Sequence, residues 1–196
     1  DFEHARALEV AESLFWTFCD DYIELVKDRA NDFSGSHDAT AVHSARTALA
    51  IAVDTFVRLF APFLPFVTEE VWSWYRTGSV HRSAWPQAAG LRAAAGGANA
   101  GLVTRAGLAL AALRKVKSEA KTSQRTPILS VAVTAEPAVA DAIESVRTDL
   151  IEAAKVTGPF EVARTPASAD SSASPVSVTT VELGEAPARS RSTKRS

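Results

Sequence analysis

The sequence predicts a mainly α protein: a helical bundle followed by a small α+β unit. Three observations predict it. Apolar residues recur three and four apart over residues 1–77, the period of a buried helix face. Pro62 and Pro65 interrupt that pattern as a helix-to-helix corner. Beyond Pro127, β-branched runs alternate with one more helical stretch. The 196 residues, 46% of them hydrophobic, suffice for one good core or two small ones.

Residues 1–29 read as one long helix. Leu8, Ala11, Phe15, Phe18, Tyr22 and Leu25 line one stripe, and Val10, Leu14, Ile23 and Val26 widen it, which predicts burial on more than one side. "NDFSGSHD" at 31–38 is a loop by its Asn, Asp, Ser and Gly content. A second helix spans 39–60, with Ala45, Leu49, Ala52, Phe56 and Leu59 or Phe60 on its apolar face. Pro62 stops it, because proline lacks an N–H and disfavours helical geometry in the residue before it. Pro65 suits the first turn of a third helix; Glu69 and Glu70 follow near that N-terminus, where negative charge suits the dipole, and the helix ends near Thr77-Gly78. The phenylalanines and Leu64 are expected to fill the inside of the corner.

Residues 78–86, "GSVHRSAWP", form an extended exit, and the Ala/Gly-rich 87–101 form a linker. The second unit, 102–184, opens with a helix carrying Val103, Ala106, Leu110, Leu113 and Val116 to about Lys121. A strand at 128–134, a helix at 136–154 begun by Pro137, a short strand at 158–164, a Ser/Ala loop at 167–175 and a strand at 176–183 follow. Residues 185–196 read as a disordered basic tail.

The formal net charge of −2 hides an uneven distribution. Residues 1–87 carry 13 acids and 7 bases, net −6, whereas 102–127 carry six bases against Glu119, net +5. The tail adds Arg189, Arg191, Lys194 and Arg195. Such basic patches attract phosphate, although a solvated helix face reads the same way. No run of about 18 uncharged apolar residues occurs, so no membrane helix is expected. The acidic, amphipathic start is not that of a signal peptide. The lone Cys19 cannot pair within the chain, which fits a reducing compartment. The chain holds no methionine and starts at Asp1, so it is expected to be a piece of something longer.

Chemistry-bearing motifs are scarce. There is no GxxxxGK[ST], GxGxxG or HExxH, and His4, His37, His43 and His81 do not stand at metal-ligand spacing with one another or with Cys19. A Cys19–His43 nucleophile pair competes with a buried inert thiol, and the mid-helix position of Cys19 among aromatics favours the latter. Neighbouring carboxylates, Asp20-Asp21 and Glu69-Glu70, point apart on a helix and cannot share a site. Trp16 and Trp72 sit in apolar runs and read as core; Trp74 and Trp85 could stack on bases, with packing favoured.

Three stretches carry a resemblance. "RALEVAESLFWTFCDDYIELVKDR" (6–29), "RLFAPFLPFVTEEVWSW" (58–74) and "GSVHRSAWP" are similar to the anticodon-binding domain of the bacterial valyl-tRNA synthetases, class I aminoacyl-tRNA synthetases. The helix containing "LRKVKSEAK" and the strand after it resemble the α+β region that follows the bundle in that family. The resemblance implies a class I anticodon-binding bundle over 1–86 whose opening helix lies upstream of Asp1. It implies a parent enzyme that uses ATP with magnesium to attach valine to tRNA(Val) and hydrolyses mischarged threonyl-tRNA; an apolar pocket cannot strongly reject an isostere that adds a hydroxyl. The family's HIGH and KMSKS signatures and its charged heptad helix do not occur in these residues. This segment is therefore expected to bind tRNA without catalysing and without a cofactor of its own. Its expected partners are tRNA(Val) and the upstream catalytic and editing domains of the same polypeptide, with no membrane, in the cytoplasm. Expected phosphate contacts are Lys27, Arg29, Arg114, Lys115, Lys117 and Lys121. The alternatives are the same domain of an isoleucyl- or leucyl-type synthetase, or a helical protein-interaction module with no RNA role.

Overall fold

A computed structural model describes residues 3–33, 35–99, 101–167 and 174–186. It is a helical bundle plus a small α+β unit, dividing at 100/101. Of the expected basic tail, residues 187–196 lie outside the described residues, as do 168–173 of the Ser/Ala loop.

The first unit contains α1 (His4–Thr17), a wide π-helical turn (Phe18–Ile23), α2 (Glu24–Asn31), α3 (Ala39–Phe60), α4 (Pro65–Ser73), a 3₁₀ turn (Val80–Arg82) and α5 (Ala88–Ala95). The chain thus stays helical where one helix is expected over 1–29, but the wide turn moves the stripe on by one residue. Leu25 is buried with Val26, but beyond them Ala30 is buried where a regular continuation from Phe18, Tyr22 and Leu25 would bury Arg29. Val10, Leu14 and Trp16, read as buried, are exposed, because only one side of α1 meets α3. That side is aromatic: Phe15 stands edge-on to Phe56 and Phe60 at 5.4 and 5.5 Å, and Phe18 lies 5.3 Å from Phe56. Asp38 caps α3, its carboxylate accepting from the Thr40 and Ala41 amides at 3.0 and 3.2 Å.

At the corner, the Phe63 and Leu64 amides both turn back to the Phe60 carbonyl, and Pro65 opens α4. Val57, Ala61, Trp72 and Val80 form the buried cluster beneath it. The expected filling is reversed for part of the sequence. Phe60 and Phe63 are half-buried, but Leu64 is 51% and Phe66 89% exposed, because the proline pair turns them away from α3. The glutamates are not in the first turn of α4, and α4 ends at Ser73. Glu69 instead accepts from the Ser79 hydroxyl at 2.9 Å and the Val80 amide at 3.0 Å, pinning the segment after α4. Glu69→Ala should therefore lower the stability of this unit by about 2 kcal/mol, since the amide of buried Val80 loses its acceptor. Thermal unfolding should show a midpoint roughly 10 °C lower, with Glu69→Gln recovering most of it; an unchanged midpoint for the alanine variant would count against the pin. The stretch expected as a loop-like linker contains α5, whose Leu91, Ala94 and Ala95 line a groove with Leu14 and Ile51.

The second unit contains α6 (Leu102–Glu119), β1 (Ile128–Ala135), α7 (Pro137–Ser145), α8 (Arg147–Ala154), β2 (Phe160–Arg164) and β3 (Val176–Leu183). The sheet order is β2-β1-β3. β1 and β2 run parallel from Val131↔Phe160 to Ala135↔Arg164, which requires the α7–α8 crossover; β3 returns antiparallel. α6 packs on α7, α8 and β3 through Ala106, Ala109, Leu110 and Leu113. Where one helix is expected over 136–154, two form, broken at Val146. The Arg147 guanidinium donates to the Phe160 carbonyl at 2.7 Å and lies over its ring at 5.1 Å, which holds the start of α8 to β2. Gly158 precedes β2 because a Cβ there would collide with the Leu129 carbonyl oxygen.

Candidate nucleic-acid interface

Two helix ends that carry basic residues, one in each unit, are the features that could meet phosphate; at the first, Glu24, Asp28 and Asp32 offset Lys27 and Arg29. In the first unit, the end of α2 points its last carbonyls at cations. The Arg46 Nε donates to the Ala30 carbonyl at 2.7 Å, and Arg29, half-buried, lies in the last turn. Lys27 is half-exposed and holds Glu24 at 2.8 Å, which neutralises part of its charge. Asp32 then takes a left-handed conformation at φ 42°, its amide on the Asp28 carbonyl and its carboxylate accepting from the His37 amide at 3.1 Å. This closed turn leaves Phe33 92% exposed. Sequence reading passed over Phe33. Its signal was there: an aromatic inside a run of Asn, Asp, Ser and Gly has no periodic face on which to pack.

In the second unit, the ends of α6 and α8 come together. Lys117, expected to bind phosphate, is 1% exposed. Its Nζ donates to the Ala154 carbonyl at 2.6 Å, at the end of α8, and to the Gln124 carbonyl at 3.0 Å. This ammonium therefore serves backbone carbonyls rather than solvent. Burial, then the charges of Lys155 and Arg114, hold its pKa below the ordinary lysine value. Those neighbours locate a basic end that includes Arg114, half-buried, and Lys155, exposed with φ 57°. Lys115 is exposed, 3.8 Å from Glu119, and Lys121 is exposed in a left-handed turn. Gln124 folds back to the Arg114 carbonyl and the Ser118 hydroxyl, bringing exposed Arg125 to the same end. Lys155 was missed in the sequence because it lies 34 positions beyond Lys121 and reaches α6 only through the fold.

The remaining candidates lead elsewhere. Burial and then the Asp20 charge push the Cys19 thiol up, away from the thiolate that a nucleophile requires. Trp74 and Trp85 are exposed, but the Trp74 indole donates to Glu70 at 3.1 Å, a carboxylate that repels phosphate. Trp72 is buried, with Arg76 5.9 Å from its ring centroid. Among the described residues, no group of three or more His, Cys, Asp or Glu could hold a metal ion, and no helix is long and apolar enough to cross a membrane.

The model of the family described as the anticodon-binding domain of tRNA ligase matches residues 1–133, which include α2, Phe33 and the whole of α6. The chain is 50% identical over 198 residues to a valine–tRNA ligase of Bifidobacterium longum (strain DJO10A), covering 96% of this chain and 22% of that protein. It is 51% identical over 154 residues to one of Cutibacterium acnes, covering 79% and 17%, and 50% identical over 140 residues to one of Salinispora tropica, covering 64% and 16%. The chain thus spans about a fifth of the length of the curated relatives it matches.

Proposed function

The chain belongs to the family of the anticodon-binding domain of tRNA ligase, and from that membership we propose that it is the tRNA-binding part of a valine–tRNA ligase, its ligand tRNA(Val). The longer enzyme would attach valine to that tRNA with ATP in the cytoplasm and edit mischarged product, through catalytic and editing domains joined to this segment. In this proposal ATP and its magnesium belong to the rest of the polypeptide.

The observation that carries the reading is that the family-matched residues 1–133 include the exposed bases Lys115, Lys121 and Arg125 at the end of α6. In this proposal Lys27, Arg29, Arg114, Lys115 and Lys121 face phosphates, with Lys117 holding the basic end together from within. Phe33 stacks on an unpaired base of the anticodon loop, since single-stranded RNA is read largely by stacking.

The test is binding of the 196-residue chain to tRNA(Val) transcript across a salt series. Affinity should fall steeply with salt, with a log–log slope of about −0.7 to −0.9 per phosphate met. Phe33→Ala should weaken binding by about tenfold or more while leaving the slope intact, because a stacked base contributes ~1–3 kcal/mol without a counterion. Absent or salt-independent binding would favour a protein-interaction module. Equal binding after an isoleucine or leucine anticodon is installed would favour the related synthetases.

A further inference from the structure

The corner between α3 and α4 exposes an apolar surface that nothing in the first unit covers. Leu64 is 51%, Phe66 89% and Val67 54% exposed, and Pro65 lies among them. The surface continues sideways: the His81 ring meets the Pro65 carbonyl at 3.3 Å, and a groove beside it is lined by Pro62, His81 and Trp85, the last 54% exposed. Its shape is set rigidly. Two prolines restrict the backbone, Glu69 pins Ser79 and Val80, and Arg58 donates to the Ala84 carbonyl at 3.1 Å. Rigid, contiguous and apolar surfaces of this kind mark contact sites.

The neighbouring charge rules on the partner. Arg58 lines the groove but is held by the Asp54 carboxylate and the Ala84 carbonyl, Arg82 is exposed on the 3₁₀ turn, and no lysine or arginine lies between Arg58 and Arg76, where Glu69 and Glu70 follow the patch. With its nearest arginine already neutralised, the patch offers a phosphate backbone less than the basic end of α6 does. The partner is therefore an uncharged protein surface. Separate molecules in a standard association engage roughly 20–30 residues a side, and this corner offers far fewer. A tethered partner needs much less area, because the linkage supplies a high effective concentration. About four-fifths of the length of the relatives lies outside the stretch they share with this chain, so a tethered partner is at hand in any such ligase.

We infer that the Leu64–Pro65–Phe66–Val67 corner, with Pro62 and Trp85 at its side, is the surface by which this bundle docks on an apolar face of the rest of its own ligase polypeptide. The inference rests on the ligase reading above. The bundle would then be oriented by a face opposed in chemistry to the one that meets RNA, so that tRNA binding and domain docking do not compete.

Hydroxyl-radical labelling of Phe66 and Trp85, compared between the 196-residue chain and a full-length ligase containing it, tests the docking. Labelling should fall several-fold in the full-length protein without tRNA, while Phe33 labels equally in both. Phe66→Asp should leave tRNA binding by the 196-residue chain unchanged, restore labelling of Trp85 in the full-length enzyme, and lower its rate of charging. Equal labelling of Phe66 in the two proteins overturns the inference. So does protection of Phe66 in the short chain that grows with its concentration, since the occupant would then be a second copy. Neither result touches the ligase reading, which stands or falls on tRNA binding by the short chain.

Discussion

Lys117→Met is expected to destabilise the second unit by about 3 kcal/mol, and Lys117→Ala by on the order of 5. Met keeps most of the buried volume, so its effect isolates the polar role. That role is to satisfy the Ala154 carbonyl at 2.6 Å, in a place that solvent does not reach, and the part-buried Gln124 carbonyl at 3.0 Å. Both oxygens would lose their donor together, and an unsatisfied buried group such as the Ala154 carbonyl costs ~1–3 kcal/mol. Alanine adds a cavity between the ends of α6 and α8. Denaturant unfolding of the chain reads both numbers; a methionine variant as stable as the wild type would show that the ammonium contributes nothing net. The charge itself is opposed by burial, Lys155 and Arg114, so the hydrogen bonds rather than the charge stabilise the fold. This sets a sign for pH. An unfolded chain keeps the Lys117 proton up to about the ordinary value of 10.5, whereas the folded unit releases it sooner. Across the interval between the two, the unfolded chain binds more protons and stability rises with pH. Lys117→Met should lack that rise.

The second large effect is on RNA. Lys115→Glu with Lys121→Glu should weaken tRNA binding about a hundredfold at low salt and reduce the log–log salt slope by about two, one per lost phosphate contact. Both side chains are exposed, so unfolding should shift by less than about 0.5 kcal/mol. The 3.8 Å approach of Lys115 to Glu119 is a surface pair of little energetic weight and does not tie the lysine down. An unchanged slope would remove α6 from the proposed interface, leaving the α2 end and Phe33 to be judged separately. The contrast between Lys115 and Lys117, two residues apart on one helix, is the sharpest check on the basic end: one change alters affinity alone, the other stability.

The architecture was legible in the sequence where one residue type dictates backbone geometry. Pro62, Pro65, Pro137 and the β-branched strands stand where local rules put them. Legibility failed where a tertiary contact decides. Nothing at Ser145-Val146 signals a break, because the cause is Arg147 reaching β2. Phe66 looked like core by composition, and only the direction of the turn shows that it points outward. The basic end was half legible: counting charge found α6, but charge counts do not separate a buried ammonium from an exposed one. Lys117 occupies the helical stripe of Leu110 and Leu113, and that periodicity was the available signal of its burial.

The wide turn at Phe18–Ile23 holds one residue more than a regular helix would carry over the same span. A regular helix advances about 100° per residue. Straightening the turn with every residue kept would screw everything after it by that angle. Arg29 would be driven toward the site of the Ala30 methyl, and the Asp32 turn that presents Phe33 would swing with it. Deleting one residue of the turn would instead let a regular helix run through with Ala30 still on the buried stripe. Homologous chains one residue shorter here should therefore carry a regular helix and keep Phe33 in place.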